Sequence, residues 1–375
     1  MRLFLTSAIF VATLATTASA QTTPTTEPAP AVPNPAPAPP PASPFTFYGY
    51  LDAYYGYDFG NDATNARPGF LYSHTRQQEF SVNPALLGAR YANGQVRGAL
   101  GLHAGSYVEA NYSNEPTTLR HLYEAYAGFR PFAKTWLDVG VFASHLGLES
   151  AISKDNWTLS RSLIADNSPY YETGARFTYE PAPKLTLTAL VLNGWQNIRE
   201  TNLKKAFGTQ IQWKPTDKLV INSSTFVGDE QPRGASLRRY FHDFYLTYTP
   251  TERLSLAGVF DVGKQEATEP GRYDTWHGGA AFVRYKLAEK WAATGRAEYY
   301  YAERGVIIVP ADPMANNPDF GAGGGSLNLD YSPTANALLR LEGRYLVGRP
   351  PVFQRADRPG ANSYGNLTAS VAIGF

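Results

Sequence analysis

The sequence predicts an all-β protein: a transmembrane, antiparallel, up-and-down β-barrel of about 16 strands. Three observations carry this. The stretch 367–375 reads LTASVAIGF, with Leu367, Ala369, Val371, Ile373 and Phe375 alternating with Thr368, Ser370, Ala372 and Gly374; a period of two puts an apolar set on one strand face and a small, weakly polar set on the other. Connections that are short and rich in turn residues alternate with long polar ones. Finally, no run of 18 apolar residues follows residue 20, yet the chain holds 25 Tyr, 20 Phe and 6 Trp. That combination excludes a membrane-spanning helix and fits a barrel, with aromatics at the membrane–water interfaces and polar groups in the lumen.

The first segment, 1–20, reads as a signal peptide. Arg2 gives a positive start, 3–14 is mostly apolar, and Ala18-Ser19-Ala20 fits a small-residue cleavage site. The chain has no cysteine, which excludes a lipid-modified cysteine anchor, disulfides and thiol chemistry. Its near-balanced charge, +1 overall, gives no argument for nucleic acid. Residues 21–44 hold ten prolines. Such a stretch cannot bury a core and is expected to be an extended, disordered periplasmic spacer. The barrel is expected over 45–375.

Strand patterns run to the end of the chain. In the first, 45–59, Phe47, Gly49, Leu51, Ala53 and Tyr55 face one way and Tyr48, Tyr50, Asp52 and Tyr54 the other. The others are expected near 77–91, 95–108, 119–130, 135–146, 170–180, 184–194, 205–214, 218–229, 238–249, 253–265, 273–286, 290–303, 321–331, 335–348 and 363–375. The short connections include Asn93-Gly94, 131–134, 181–183, 215–217, 250–252, 288–289 and 333–334, several opened by proline, which pre-sets a turn and cannot donate to a sheet ladder. Between them lie longer stretches near 60–76, 109–118, 147–169, 195–204, 230–237, 266–272, 304–320 and 349–362. Outer-membrane barrels alternate in this way, with short turns on the periplasmic side and long loops outside. Both termini would then lie in the periplasm, and the strand number must be even.

Charges keep to one face of the strands. Arg340, Glu342 and Arg344 oppose Leu339, Leu341 and Tyr345; Arg296 and Glu298 oppose Ala293, Ala297 and Tyr299; Asn328 and Asp330 oppose Leu327, Leu329 and Tyr331. A charge facing lipid costs roughly 2–4 kcal/mol near the midplane for Arg or Lys, so these faces line water. With about 16 strands the lumen is wide enough for an aqueous channel.

The segments 67–90 (RPGFLYSHTRQQEFSVNPALLGAR), 145–174 (HLGLESAISKDNWTLSRSLIADNSPYYETG) and 190–198 (LVLNGWQNI) resemble the OmpL-like family of β-barrel porins. Lys154-Asp155-Asn156-Trp157 followed by Asn167-Ser168-Pro169-Tyr170-Tyr171-Glu172 is the most specific part. The resemblance covers essentially the whole chain after Pro44. It implies a barrel and a porin role; it names no solute.

The third long connection, 147–169, is the longest. By analogy with general porins of similar strand number it is expected to fold inward and narrow the lumen. It carries Glu149, Lys154, Asp155, Arg161 and Asp166, with Trp157 and Leu163 as packing anchors. Glu124, Asp138, Glu172 and Arg176 are nearby lumen-face candidates. Opposed charges across a constriction would bias ion passage. Alternatively these charges pair and pin the loop to the wall, and the two readings are compatible.

Other chemistry finds little support. Ser144 and His145 are neighbours, which on a strand would point them to opposite faces. His74, His103, His121, His242 and His277 are scattered without metal-ligand spacing, so no catalytic residue, metal or cofactor is expected. The stretch 321–325 (GAGGG) is expected to be a flexible loop-to-strand entry rather than a phosphate loop, and Tyr299-Tyr300-Tyr301 to fit an interfacial girdle on alternate faces. The expected function is passive diffusion of small hydrophilic solutes or ions. The alternatives are a non-conducting surface-binding or structural barrel and, with less support, an outer-membrane hydrolase. Expected partners are outer-membrane lipids, the solutes, a second copy of the chain, and the barrel assembly machinery acting on the strand that ends at Phe375.

Overall fold

The structure, a computed structural model, describes residues 43–60, 64–230, 236–309, 319–355 and 358–375. The expected signal peptide and nearly all of the Pro-rich spacer lie outside the described residues.

Sixteen strands close into one antiparallel barrel. They are β1 (Phe45–Phe59), β2 (Phe80–Ala92), β3 (Val96–Ala104), β4 (Leu122–Phe129), β5 (Thr135–Ala143), β6 (Tyr171–Ala182), β7 (Leu185–Leu192), β8 (Ala206–Thr216), β9 (Leu219–Asp229), β10 (Arg238–Tyr248), β11 (Leu254–Glu266), β12 (Tyr273–Ala288), β13 (Trp291–Ala302), β14 (Phe320–Thr334), β15 (Ala337–Gly348) and β18 (Ser363–Gly374). The strands β16 (Phe353–Arg355) and β17 (Arg358–Ala361) form a separate small hairpin in the last loop. Sequence neighbours pair around the ring, and β1 closes it on β18, with Tyr50 opposite Gly374 and Phe59 opposite Gly365. Short turns collect at one end and long loops at the other, as the alternation of connections predicts.

The pleat sorts the side chains as expected. On β18, Leu367, Val371 and Ile373 are exposed on the outer surface, while Thr368, Ser370 and Ala372 are buried inside. Two aromatic belts flank the outer apolar band. Tyr57, Phe59, Phe80, Phe207, Tyr273 and Tyr345 mark the loop end; Phe129, Tyr179, Trp213, Tyr248, Tyr285 and Trp291 mark the turn end. This is the distribution expected where a barrel crosses two lipid–water interfaces.

Four sequence expectations shift. The strand expected over 95–108 ends at Ala104, because Gly105 takes φ 128° and turns the chain into helix α1 (Ser106–Asn111). A Cβ there would lie 2.3 Å from the Asn83 carbonyl oxygen, so glycine is required. The strand expected over 135–146 stops at Ala143. The glycine run 321–325, expected as a flexible entry to its strand, is paired strand throughout, inside β14. Of the three consecutive tyrosines, Tyr299 is exposed but Tyr300 is buried inward against Phe320.

The core lies inside the barrel. Toward the loop end the inward face turns apolar: Leu192, Phe226, Phe241, Trp276, Tyr300, Phe320 and Leu346 are buried there. They join one cluster with Phe70 and Leu71 of the first loop, Leu163 and Ile164 of the third, Ile308 of the seventh and Phe353 of the eighth. The lumen face is therefore polar over part of its height and packed with apolar side chains over the rest.

Candidate pore constriction

The third loop leaves β5 after Ala143 and returns at Tyr171, the start of β6. Its first anchor is His145. Nδ1 lies 2.9 Å from both carboxylate oxygens of Glu172, and Nε2 lies 2.9 Å from the Thr225 carbonyl. Both partners only accept, so the imidazolium, with two N–H donors, satisfies the site. Burial opposes that charge, but the Glu172 carboxylate outweighs it and raises the His145 pKa. Ser144 Oγ also donates to Glu172, at 3.1 Å. The strand ends before this pair, so the two side chains are not sent to opposite faces. They converge on Glu172 and not on each other, and no serine–histidine relay is formed.

The loop then braces itself. Glu149 accepts from the Ser162 N–H at 3.1 Å and from the Ser162 hydroxyl. The same hydroxyl caps α2 (Leu163–Asp166) by accepting from the Ala165 N–H. Burial pushes the Glu149 carboxyl up to about 7, against the attraction of Arg296 and the bonds from Ser162. Arg161 is buried between the rings of Tyr170 (3.8 Å) and Tyr107 (4.6 Å), and its Nε donates to Asp166 at 3.1 Å. This cation–aromatic sandwich ties the loop to α1.

The tip of the loop is bonded to the far wall. Around the ring, β14 stands seven strands from β5 in one direction and eight from β6 in the other, so the loop crosses the full lumen. Arg340 donates to the carbonyls of Ser153 (2.5 Å) and Asn156 (3.0 Å). Asn328 accepts from the Leu159 N–H, Glu342 from the Ser160 N–H and Glu298 from the Leu163 N–H. Arg296 donates to the Ser160 carbonyl at 2.7 Å. These wall residues also pair among themselves, Arg344 with Glu298 (2.8 Å), Arg296 with Glu342 (3.1 Å) and Arg340 with Asp330 (2.8 Å). The loop's backbone groups thus find charged partners in the wall instead of water.

The first loop joins the same structure. Asp52 of β1 takes His74 of the first loop at 2.9 Å and the Ser153 hydroxyl of the third at 2.8 Å on one carboxylate oxygen. Arg67 reaches Asp58 at 3.0 Å and Thr368 at 2.8 Å. All of these side chains are buried.

The nine candidate residues separate into three groups. Glu149, Arg161 and Asp166 hold the loop's own shape, and Glu172 holds its root. Lys154 is half-buried beside Gly374, while Asp155 is exposed. Asp138 joins Arg97 (2.6 Å) and Arg176 (2.9 Å), and Glu124 joins Arg90 (2.9 Å) and the Tyr48 hydroxyl (2.5 Å). This last group lies on the near wall, β1 to β6, where the arginine side chains keep solvent contact: 54% exposed for Arg90, 26% for Arg97 and 22% for Arg176. Trp157, expected as an anchor, packs edge-on against Phe282, and Leu163 is fully buried. Sequence reasoning put Arg296, Glu298, Arg340, Glu342 and Arg344 on the inward face but did not connect them to the loop. Their signal was there, in β13 and β15, which each alternate acid and base on the inward face. Asp52, His74 and Arg67 left no comparable pattern. Among the described residues no group of three His, Asp or Glu side chains is placed to hold a metal ion.

Comparison with known proteins agrees with this architecture. The family model described as "Putative beta-barrel porin-2, OmpL-like" matches residues 44–375. No curated protein matches the chain. Among solved structures, the fold is similar to the outer membrane channel DcaP of Acinetobacter baumannii (TM-score 0.60, 10% identity, 88% of this chain and 97% of that one). It is also similar to outer-membrane expressed OmpT of Vibrio cholerae (TM-score 0.59, 11% identity, 88% and 97%) and to an anion-selective porin from Comamonas acidovorans (TM-score 0.58, 8% identity, 88% and 99%). At these identities the likeness concerns the fold.

Proposed function

Because the chain belongs to the OmpL-like β-barrel porin family, we propose that it is an outer-membrane pore for passive diffusion of small hydrophilic solutes or ions, narrowed by loop 147–169. The observation that carries this reading is the loop itself. It crosses the lumen and is held at both ends, by His145 on Glu172 and by the Arg–acid pairs of β13 to β15. A bar fixed in this way reduces the bore without a moving part. The partly exposed arginines of the near wall supply the charge that a passing ion meets.

The long loops face outward and both termini lie in the periplasm, with the signal peptide over 1–20 and the spacer over 21–44 delivering and tethering the barrel. The strand ending at Phe375 is the contact for the assembly machinery. The protein works without catalysis, and homo-oligomers are compatible with the exposed outer band. The test is single-channel conductance of refolded mature protein in a planar bilayer, with 147–169 intact and deleted. Discrete steps that grow on deletion support the reading. The apolar cluster at the loop end favours one rival, a barrel closed there that serves as a surface-binding or structural protein; correctly folded barrel that gives no steps, even after deletion, would sink the diffusion reading and move the weight to this rival.

A further inference from the structure

At the loop end a cavity of about 250 Å³ opens between the first, second, third, fourth and seventh loops and the wall, room for about eight waters. Two of its lining charges, Glu230 and Arg239, are of opposite sign and form no direct ion pair among the described residues. Glu230 follows β9 directly; its Oε2 accepts from the Trp195 N–H at 2.9 Å, while its Oε1 is buried and has no hydrogen-bond partner among the described residues. Arg239, near the start of β10, is buried to 8% exposure; its guanidinium lies over the rings of Trp195 (4.9 Å) and Trp276 (5.6 Å), and its Nε and Nη2 donate to the neutral Gln265 carbonyl, at 3.0 and 2.7 Å. Among the described residues neither forms an ion pair, with each other or with a third group. Asp166, which also lines the cavity, is already taken by Arg161. The remaining wall supplies aromatic surface from Trp195 and Tyr72 and amides from Gln196 and Asn167.

Among the described residues these two buried charges act on each other only at a distance, with no hydrogen bond between them, so the cost of burying them is recovered in part. A cation entering the cavity would satisfy Glu230 and leave Arg239 unpaired, and an anion would do the reverse. A molecule bearing both charges satisfies both. We propose that this cavity is a binding site for a small zwitterion of the α-amino acid type, its ammonium on Glu230, its carboxylate on Arg239 and its side chain against Trp195 and Tyr72. As a loading site for uptake it rests on the diffusion-pore reading; as a binding site it does not.

Binding of L-valine, N-acetyl-L-valine (no ammonium) and L-valinamide (no carboxylate) to the refolded full barrel in detergent, read by saturation-transfer NMR, tests it. Valine should bind at least about tenfold more tightly than either analogue, the difference expected of one charge-assisted hydrogen bond. Glu230→Gln should weaken valine by about tenfold and leave N-acetylvaline unchanged. Arg239→Met should weaken valine and leave valinamide unchanged, and Arg239→Lys, which keeps the charge and guards against misfolding, should retain most of the affinity. Equal binding of the three ligands, or binding that neither Glu230→Gln nor Arg239→Met alters, overturns the proposal. A barrel that conducts but binds none of them also overturns it while leaving the pore intact; a barrel that binds valine but gives no conductance steps sustains the site and removes the pore.

Discussion

The near and far walls of the lumen use the same residue types to opposite ends. On β2 to β6, Arg90, Arg97 and Arg176 hold Glu124 and Asp138 yet keep 22–54% of their side chains exposed. On β13 to β15, Arg296, Arg340 and Arg344 hold Glu298, Asp330 and Glu342 with at most 2% exposure on either side. The difference is the loop, which covers the far wall and leaves the near wall wet. Where the arginine of a pair stays wet its charge is felt by solutes; where both partners are buried the pair is strongly coupled and its charge is spent on the loop. An arginine in a pore wall is thus a selectivity element or a structural one according to what covers it.

The largest effect should follow from breaking the covered side. Glu298→Ala leaves Arg344 and the Leu163 N–H without their acceptor, and should cost about 3–5 kcal/mol, as for other broken buried pairs. Denaturant unfolding measures the loss, and single-channel conductance should rise as the loop comes free. An unchanged conductance in that variant would mean that the loop does not set the bore.

A smaller effect belongs to the open side. Replacing Arg97 or Arg176 singly with Gln leaves the buried Asp138 its other arginine, and should cost about 1–3 kcal/mol, less than the covered side. Reversal potentials in a salt gradient should move toward cation preference, because a positive charge in contact with solvent is removed from the near wall. If the potentials do not move, the near wall is not where ions are discriminated.

Protonation sharpens the contrast within the loop. Glu149 titrates from an unfolded value near 4.5 to about 7 in the fold. The folded state therefore holds the extra proton, and the stability it brings is present at low pH and lost between about 4.5 and 7. The His145 pKa is raised above 6.5, so its contribution is complete below 6.5 and is lost at higher pH, as the raised pKa is crossed. Both make the loop looser as the pH rises, Glu149 in the lower window and His145 in the upper. Glu149→Gln should flatten the lower window alone and His145→Gln the upper, in unfolding midpoints recorded from pH 4 to 9.

The smallest expected effect concerns the seam. A Cβ at Gly49 would lie 2.2 Å from the Phe375 ring, but that ring is 70% exposed and free to swing aside. Gly49→Ala should therefore shift stability by less than about 1 kcal/mol. A much larger loss would show the ring to be a fixed part of the closure.

How much of this was legible follows from where the information is local. Strand alternation and turn chemistry are written within ten residues of each other, and all sixteen barrel strands fall close to their expected positions. The inward run of the third loop was expected only by analogy, and its position in the lumen depends on pairs such as Ser160 with Glu342 and Leu163 with Glu298, more than a hundred residues apart. No local pattern encodes those. The apolar loop-end core was hidden for another reason. Phe226, Phe241 and Trp276 point inward, while Phe207, Phe260 and Tyr299 point outward, and hydrophobicity alone cannot separate a lipid-facing aromatic from a lumen-filling one.

The pairing of β1 with β18 has a kinetic consequence. Gly49 and Phe375 exchange both backbone hydrogen bonds, at 2.8 and 3.0 Å, and join the first strand of the ring to the last. Until they meet, each strand offers a bare row of donors and acceptors to whatever edge comes near. Joining them closes the longest loop the sheet contains, and the entropy of that closure has to be met in a single late step. Every other hairpin of the cylinder can zip from its own turn, whereas this seam has no turn to start from. Ring closure is accordingly the step at which a folding chain of this topology has most to gain from an external hand that keeps the two edges apart from other strands and then brings them together.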